Sequence, residues 1–353
     1  MQRATAPTIH DLARHLGVHK STVSRAMDPA RRHLISADLL QRVQAAVREL
    51  GYRPNHAAAA LSTGRSKTIG VLLPDITNPV FPPILRGIED ALDGEGYFAL
   101  VANTDSSRRN DAAHAAVERM QAQRVEGFLV ATAVRDDAWL AGLRKSGARI
   151  VLVNRTDGRG ELPAVISDDM LGMRLAVDHL VELGHRRIAH LAGPSSFSTG
   201  LARRIGFEQA LRAQGLEPAA IVECEAYAVR AGQVAMSGLL ALRRPKRGPG
   251  GRSSFTAVVA ANDLIALGAL QLLHERGIAV PGELSVIGHN DMPLLDQVNP
   301  PLTSVRIQHY EMGLRAARLL LEGLRSAADS NEATVVLRPT LVVRQSTAPP
   351  AQP

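Results

Sequence analysis

Cysteine is nearly absent: Cys224 is the single one in 353 residues. One thiol cannot close a disulfide within the chain, and it cannot build a cysteine metal cluster. No apolar run approaches the roughly 18–20 residues that a membrane helix needs. The first residues, Met1 to Pro7, lead straight into His10, Asp11 and Arg14, without the apolar stretch of a secretion signal. Glycine (29) and proline (20) are too sparse for a chain disordered throughout. Catalytic signatures are missing too. There is no phosphate-binding Walker loop, no GxGxxG, no nucleophile elbow and no His/Glu pair at metal-ligand spacing. These absences point away from an enzyme, a metal site or a bound cofactor, and a reducing cytoplasm is the expected compartment.

Charge is unevenly placed. The net charge is +7, and residues 1–65 hold ten Lys/Arg against four Asp/Glu. The head therefore carries +6 and the remaining 288 residues only +1. A small basic head on a near-neutral body suits a polyanionic partner. Three short helices are legible in it. Thr8 and Asp11 form an [ST]-x-x-[DE] cap ahead of Leu12, Ala13 and Leu16, and Gly17 closes that helix. A second helix runs from Lys20 to Met27 with Val23 and Ala26 inward. Ser36 caps a third, which carries Leu39, Leu40, Val43, Ala46, Val47 and Leu50 at 3- and 4-residue spacing. Two helices about a tight glycine turn, braced by a third, make a helix-turn-helix unit.

Residues 55–67 combine an alanine run with a polar stretch and are expected to act as a hinge that orders on binding. From Thr68 onward, apolar strands alternate with amphipathic helices. Strands are expected at 69–73, 98–102, 127–131, 150–153 and 164–167, then again at 188–192, 221–225, 257–261 and 284–288. The fold class is thus an all-α helix-turn-helix headpiece (1–54) joined to a two-lobed α/β core (68–346) of two doubly wound parallel sheets. The lobes are expected to comprise 68–168 with 299–330, and 169–298 with 331–346. The basic Gly/Pro-rich stretch 243–254 reads as a solvated loop, and 347–353 as a disordered tail without leucine heptads. Ligands of such sheets sit beyond the carboxyl ends of the strands, here in the cleft between lobes.

Several fragments, in order, resemble the lactose-repressor (LacI/GalR) family of bacterial transcription regulators. In the head they are Thr8-Ile9-His10-Asp11-Leu12-Ala13, Thr22-Val23-Ser24-Arg25 and Leu50-Gly51-Tyr52-Arg53-Pro54-Asn55. In the body they are Ile69 to Asp75, Gly184-His185-Arg186-Arg187-Ile188, Ala261-Asn262-Asp263 and Pro301 to Val305. The resemblance implies that Lys20–Met27 is a recognition helix in the major groove, with Lys20, Ser21 and Arg25 reading base edges. Arg25 can donate two hydrogen bonds to guanine O6 and N7. Thr22, Ser24 and the backbone at the helix start would grip phosphates and set register, and Thr8 and His19 are expected among the DNA-binding residues. His19 stands where the family usually has a capping serine, and Asp28 where it has asparagine; Asp28 is expected to pair with Arg31 or Arg32. Asn55, Ala58 and Leu61 would lie in the minor groove, the leucine wedging a base step.

The resemblance also implies an effector site built from Phe81, Asn154, Phe197 and Thr199, together with Arg203, Tyr227, Asn262 and Asn290. Planar amides bond vicinal hydroxyls and aromatic faces cover an apolar ring, which suits a carbohydrate. Phe81 and Phe197 could equally be core residues. Relatives often place a carboxylate where Asn154 and Asn290 stand, and Arg203 has no evident neutralising partner, so a sugar acid or phosphate is favoured over a neutral sugar. The alternative is that Asp75 or Asp263 turns inward to Arg203. The implied protein is a homodimer on a pseudo-palindromic double-stranded operator, a repressor governed by a small effector and needing no membrane. A periplasmic-type carbohydrate-binding protein without a regulatory role is the rival reading, disfavoured by the basic head.

Overall fold

The computed structural model describes residues 7–28, 31–53, 65–104, 111–242, 255–326 and 334–351. It divides into two compact units, Met1–Ser66 and Lys67–Pro353. In the first, helices α1 (Ile9–Leu16), α2 (Lys20–Met27) and α3 (Ala37–Glu49) enclose Leu12, Val23, Ala26, Val43 and Ala46. The caps decide where the helices begin. Thr8 and Asp11 satisfy each other's backbone N–H in a full capping box, and Ser36 accepts from the Leu39 N–H. Gly17 sits at φ +67°, a left-handed turn that glycine enters without steric cost, and this turn redirects the chain into α2.

The second unit holds two six-stranded sheets. The N-lobe sheet takes β1 (Thr68–Leu73), β2 (Phe98–Asn103), β3 (Gly127–Val130), β4 (Ile150–Val153), β5 (Ala164–Ser167) and β11 (Thr334–Leu337), in the order β11-β5-β4-β3-β1-β2. The C-lobe sheet takes β6 (Ile188–Ala192), β7 (Ala220–Glu223), β8 (Ala257–Ala260), β9 (Ser285–Asn290), β10 (Thr303–Arg306) and β12 (Thr340–Val342), in the order β12-β10-β9-β8-β6-β7. Central strands such as β3, β4 and β8 are buried at every residue, which is why they read as unbroken apolar runs. Helices α4 (Phe81–Asp93), α5 (Asp111–Ala122) and α6 (Ala138–Lys145) serve the N-lobe, and α7 (Asp169–Glu182), α8 (Ser198–Ala213), α9 (Val229–Ala241) and α10 (Asp263–Glu275) the C-lobe. The long α11 (His309–Arg325) returns to the N-lobe and lies against α4. Their backbones nearly touch: a Cβ on Gly313 would strike the Ile84 carbonyl oxygen, and one on Gly87 that of Tyr310.

Three expectations need correction. The lobe boundaries after residue 298 differ, because β10 pairs with β9 in the C-lobe while β11 pairs with β5 in the N-lobe. The chain thus crosses between lobes at Asp168, at 307–308 and at 338–339. The C-lobe sheet is not wholly parallel, since β12 runs antiparallel to β10. The tail is not loose at its start. The Ala348 carbonyl accepts from His185 Nε2 (2.9 Å) and from Ser285 Oγ (3.1 Å), and Thr347 Oγ1 bonds His179 (3.0 Å). Those polar groups would otherwise be left without partners where the tail covers the C-lobe.

Candidate functional site

Two sites can be built, one in each unit. On α2 the inward side is Val23 and Ala26, and the opposite side shows Lys20, Ser24 and Arg25 to solvent with Ser21 and Thr22 half-buried. His19 caps the helix through Nδ1, which accepts from the Ser21 N–H (3.3 Å) and lies 2.8 Å from Ser21 Oγ. Asp28 pairs with Arg31 (3.4 Å), so its carboxylate is offset where it stands beside the exposed face. The result is a short polar and basic helix face held out by a buried apolar one, the geometry that a major groove admits. Asn55, Ala58 and Leu61 lie outside the described residues.

The second site lies between the lobes at the carboxyl ends of the strands. Asn154 and Arg155 follow β4, Asn290 ends β9, Asn262 caps α10 and Tyr227 precedes α9. Asn154 (φ +67°) and Asn290 (φ +112°) occupy left-handed backbone, which asparagine tolerates better than most residues and which redirects the chain at the cleft. Phe81 begins α4, and Thr199 and Arg203 lie one turn apart on α8. Seven of the eight expected residues line one cavity of about 30 Å³, room for one or two waters. The eighth, Phe197, lies behind Arg155, its ring 3.8 Å from the guanidinium, and stacks on Tyr227 with centroids 6.0 Å apart. Ligand pockets usually measure about 300 Å³ or more, so a sugar-sized molecule seats only when the lobes part. Latches that such a movement would break join the lobes: Arg135 N to the Ser196 carbonyl (3.0 Å) and Thr156 N to Ser198 Oγ (2.9 Å).

Arg203 is not free. Nε donates to Asp169 Oδ1 (2.8 Å), Nη1 to the Ala261 carbonyl (2.6 Å) and Nη2 to Asn290 Oδ1 (3.2 Å). Burial works to raise the Asp169 pKa, but the Arg203 charge and the His289 and Arg203 hydrogen bonds outweigh it and hold the carboxyl below its ordinary value. The expectation of an unneutralised Arg203 therefore fails. The partner is neither Asp75 nor Asp263. Asp75 accepts from Thr77 (2.7 Å), and Asp263 accepts from Ser304 Oγ (2.5 Å) and the Met292 N–H (3.0 Å). The sequence holds one signal for this: the Asp168-Asp169 pair where a strand meets a helix. One carboxylate, Asp168, caps α7 through the Leu171 N–H (2.9 Å), leaving the second to turn inward.

Arg155 is the residue that sequence reasoning missed. It is 6% exposed, and neither Nε nor Nη1 has a hydrogen-bond partner among the described residues. Burial lowers its pKa to about 10, which leaves it charged at neutral pH. Thr199 Oγ1 and Tyr227 Oη, 3.0 Å apart, and the free amide edges of the asparagines complete a set that can give and take hydrogen bonds. Nothing there can perform covalent chemistry. Cys224 is buried, with its thiol pushed up to about 12 by burial, and no group of three His, Cys, Asp or Glu among the described residues could hold a metal. A wider concavity of about 550 Å³ opens between α6 and α11, but its Arg144 is already tied to Glu161 (3.3 Å) and Leu162, Leu319 and Leu320 line much of the rest. Convergent polar groups favour the cleft.

Comparison with known proteins decides the family. Residues 8–55 match the model of bacterial regulatory proteins, lacI family, and 177–347 match that of a periplasmic binding protein-like domain. The chain is 33% identical over 345 residues to the transcriptional regulator GalR of Escherichia coli (strain K12), covering 98% of this chain and 96% of GalR. It is 32% identical over 348 residues to DegA of Bacillus subtilis (strain 168), covering 97% and 98%. The chain belongs to the lacI family. It is a DNA-binding transcriptional regulator and not an enzyme. Its fold matches a Lac repressor dimer bound to operator and an anti-inducer, with TM-score 0.84, 27% identity and coverage of 98% and 100%. A CelR–cellobiose complex matches with TM-score 0.72 and 30% identity, covering 96% and 99%. No helix among the described residues is long and apolar enough to cross a membrane.

Proposed function

We propose that this regulator is a cytoplasmic homodimeric repressor whose operator affinity is set by a small hydroxylated effector, of carbohydrate type, held between the lobes. The observation that carries the reading is the convergence of Asn154, Arg155, Thr199, Arg203, Tyr227, Asn262 and Asn290 on one interlobe cavity. Relatives of the same architecture are described with cellobiose and with bound ribose, which supports a sugar-like ligand. Lys20, Ser21 and Arg25 would read bases, with Thr8, His19, Thr22 and Ser24 on phosphates and Asn55, Ala58 and Leu61 in the minor groove. The working division is a head (1–54), a hinge (55–67) and a core (68–346). The effector alters how the lobes meet, and the dimer passes this to the hinges as a coupling free energy.

The test begins with genome-wide footprinting to obtain the operator, expected as a pseudo-palindrome with two half-sites. Arg25→Ala should then lose about 1–3 kcal/mol on that site and relax preference at one base pair per half-site. Equal losses on operator and random DNA would refute base reading. Operator titrations with and without a panel of sugars and sugar acids test the effector. A molecule that occupies the cleft yet leaves operator affinity unchanged would refute regulation through it.

A further inference from the structure

We propose that the effector carries an anionic group, a carboxylate or a phosphate on its hydroxylated body, and that Arg155 receives it. The inference rests on the cleft being the effector site and concerns what that site selects. Two guanidinium groups face the cavity, and a single carboxylate is committed to them. Arg203 has acceptors on all three nitrogens, and Asp169 cancels its charge. Arg155 has no such acceptor on Nε or Nη1, yet it is buried to the same degree. One face of its guanidinium lies on the Phe197 ring, an apolar bed that holds the plane in place and leaves its N–H edge unsatisfied. A planar, fixed donor edge of this kind matches two oxygens of a carboxylate or phosphate.

Other carboxylates near the cleft, among the described residues, are occupied elsewhere. Asp263 faces Ser304 and Met292, and Asp291 pairs with Arg306 and Arg344, both at 2.7 Å. Asp157, two residues from Arg155, accepts from the Arg159 and Gly160 N–H groups. Asn154 and Asn290 supply amides and no charge. A buried positive charge is costly without a counter-ion, and among the described residues no carboxylate bonds Arg155 Nε or Nη1. An incoming anion does. Tyr227 and Thr199 hydroxyls and the asparagine amides then bond the ligand's hydroxyl groups.

The test uses the full chain as wild type, Arg155→Met and Arg155→Lys. Inorganic phosphate is the minimal probe, followed by thermal melting at constant ionic strength. Matched sets of glucose, gluconate and glucose 6-phosphate, and of ribose, ribonate and ribose 5-phosphate, are then titrated by calorimetry. We expect saturable stabilisation by phosphate in wild type, weaker in Arg155→Lys and lost in Arg155→Met. Within at least one set the anion should bind wild type about ten-fold or more tighter than its neutral partner, and Arg155→Met should erase that preference. The carboxylate and phosphate arms distinguish the two sources of the charge. Neutral sugars binding wild type as tightly as their anions in every set, or an anion preference that Arg155→Met leaves intact, would overturn the proposal. A neutral sugar that releases operator would keep the regulatory reading and sink this one. An anion that binds through Arg155 without changing operator affinity would do the reverse.

Discussion

Arg203 and Arg155 look alike in the sequence, and only their neighbours separate them. Arg203 was legible as a pocket residue through the family resemblance; its partner was not, because an acidic pair at a helix start does not say which member caps. Arg155 was illegible because its burial depends on the left-handed turn at Asn154 and on the Phe197 ring from the other lobe. Protonation depends on surroundings in the same way. His190 and His289 are fully buried, and burial depresses both to about 4. Each stays neutral when folded but takes a proton at about 6.5 when unfolded. Their stability contribution is complete above that value and is lost as pH falls towards 4, at about 1.4 kcal/mol per pH unit for each. Asp263 opposes them. Burial pushes its carboxyl up to about 7, so its contribution is lost as pH rises from about 4 to 7. Burial depresses His309 to about 4 as well and lowers His179 and His185, so the histidines outnumber Asp263 and stability falls on acidification between pH 6.5 and 5. Asp263→Asn should steepen that fall by about 1.4 kcal/mol per unit, the share of the one group that opposes it. Urea unfolding midpoints at half-unit intervals check both, and a flat wild-type profile would show that these histidines are solvated.

Nine strands were legible because a strand buried on both faces leaves a short apolar run bounded by polar turns. The strands that escaped, β10 to β12, share a physical reason. The three strands are three or four residues long and flank the lobe crossings at 307–308 and 338–339, so pairing partners far away in the sequence decide which sheet each joins. Helix α11 begins without a side-chain cap. What holds it is tertiary: its glycine packs backbone to backbone on α4, with Met312, Ala316 and Ala317 in the N-lobe core. Gly313→Ala should therefore destabilise despite alanine's better helix propensity, because the new methyl meets the Ile84 carbonyl. Overpacking of this kind costs about 1–3 kcal/mol. Urea melts of Gly313→Ala and of Gly142→Ala, whose Cβ would meet nothing within 4 Å, make the comparison. Equal effects at the two sites would mean that the α4–α11 contact is looser than it looks.

At the scale of the whole molecule, the proposed coupling needs two chains, and the edge of the N-lobe sheet offers a place for the second. Strand β2 ends that sheet, and on it Phe98 (58% exposed) and Leu100 (37%) project to the same side. Edge strands usually carry charge or are covered, and apolar side chains left on one suit a partner surface. Nothing in a single chain's sequence could reveal this, since the run that makes β2 a strand is the same whether its outer face meets solvent or another copy. Phe98→Asp places a charge in that surface while leaving the cleft, built by one chain alone, unchanged. Wild type should sediment at micromolar concentration near twice 37.8 kDa, and the variant near 37.8 kDa. The variant's effector affinity should stay within about two-fold of wild type, a difference below 0.5 kcal/mol. Its operator affinity should collapse, because each head would then bind its half-site without the other. The effector should also lose its influence on the residual DNA binding, since that influence is a free energy shared between cleft and operator through the dimer. A monomeric variant whose DNA binding still responds to effector would move the coupling inside the single chain, and the two-chain mechanism would have to be abandoned.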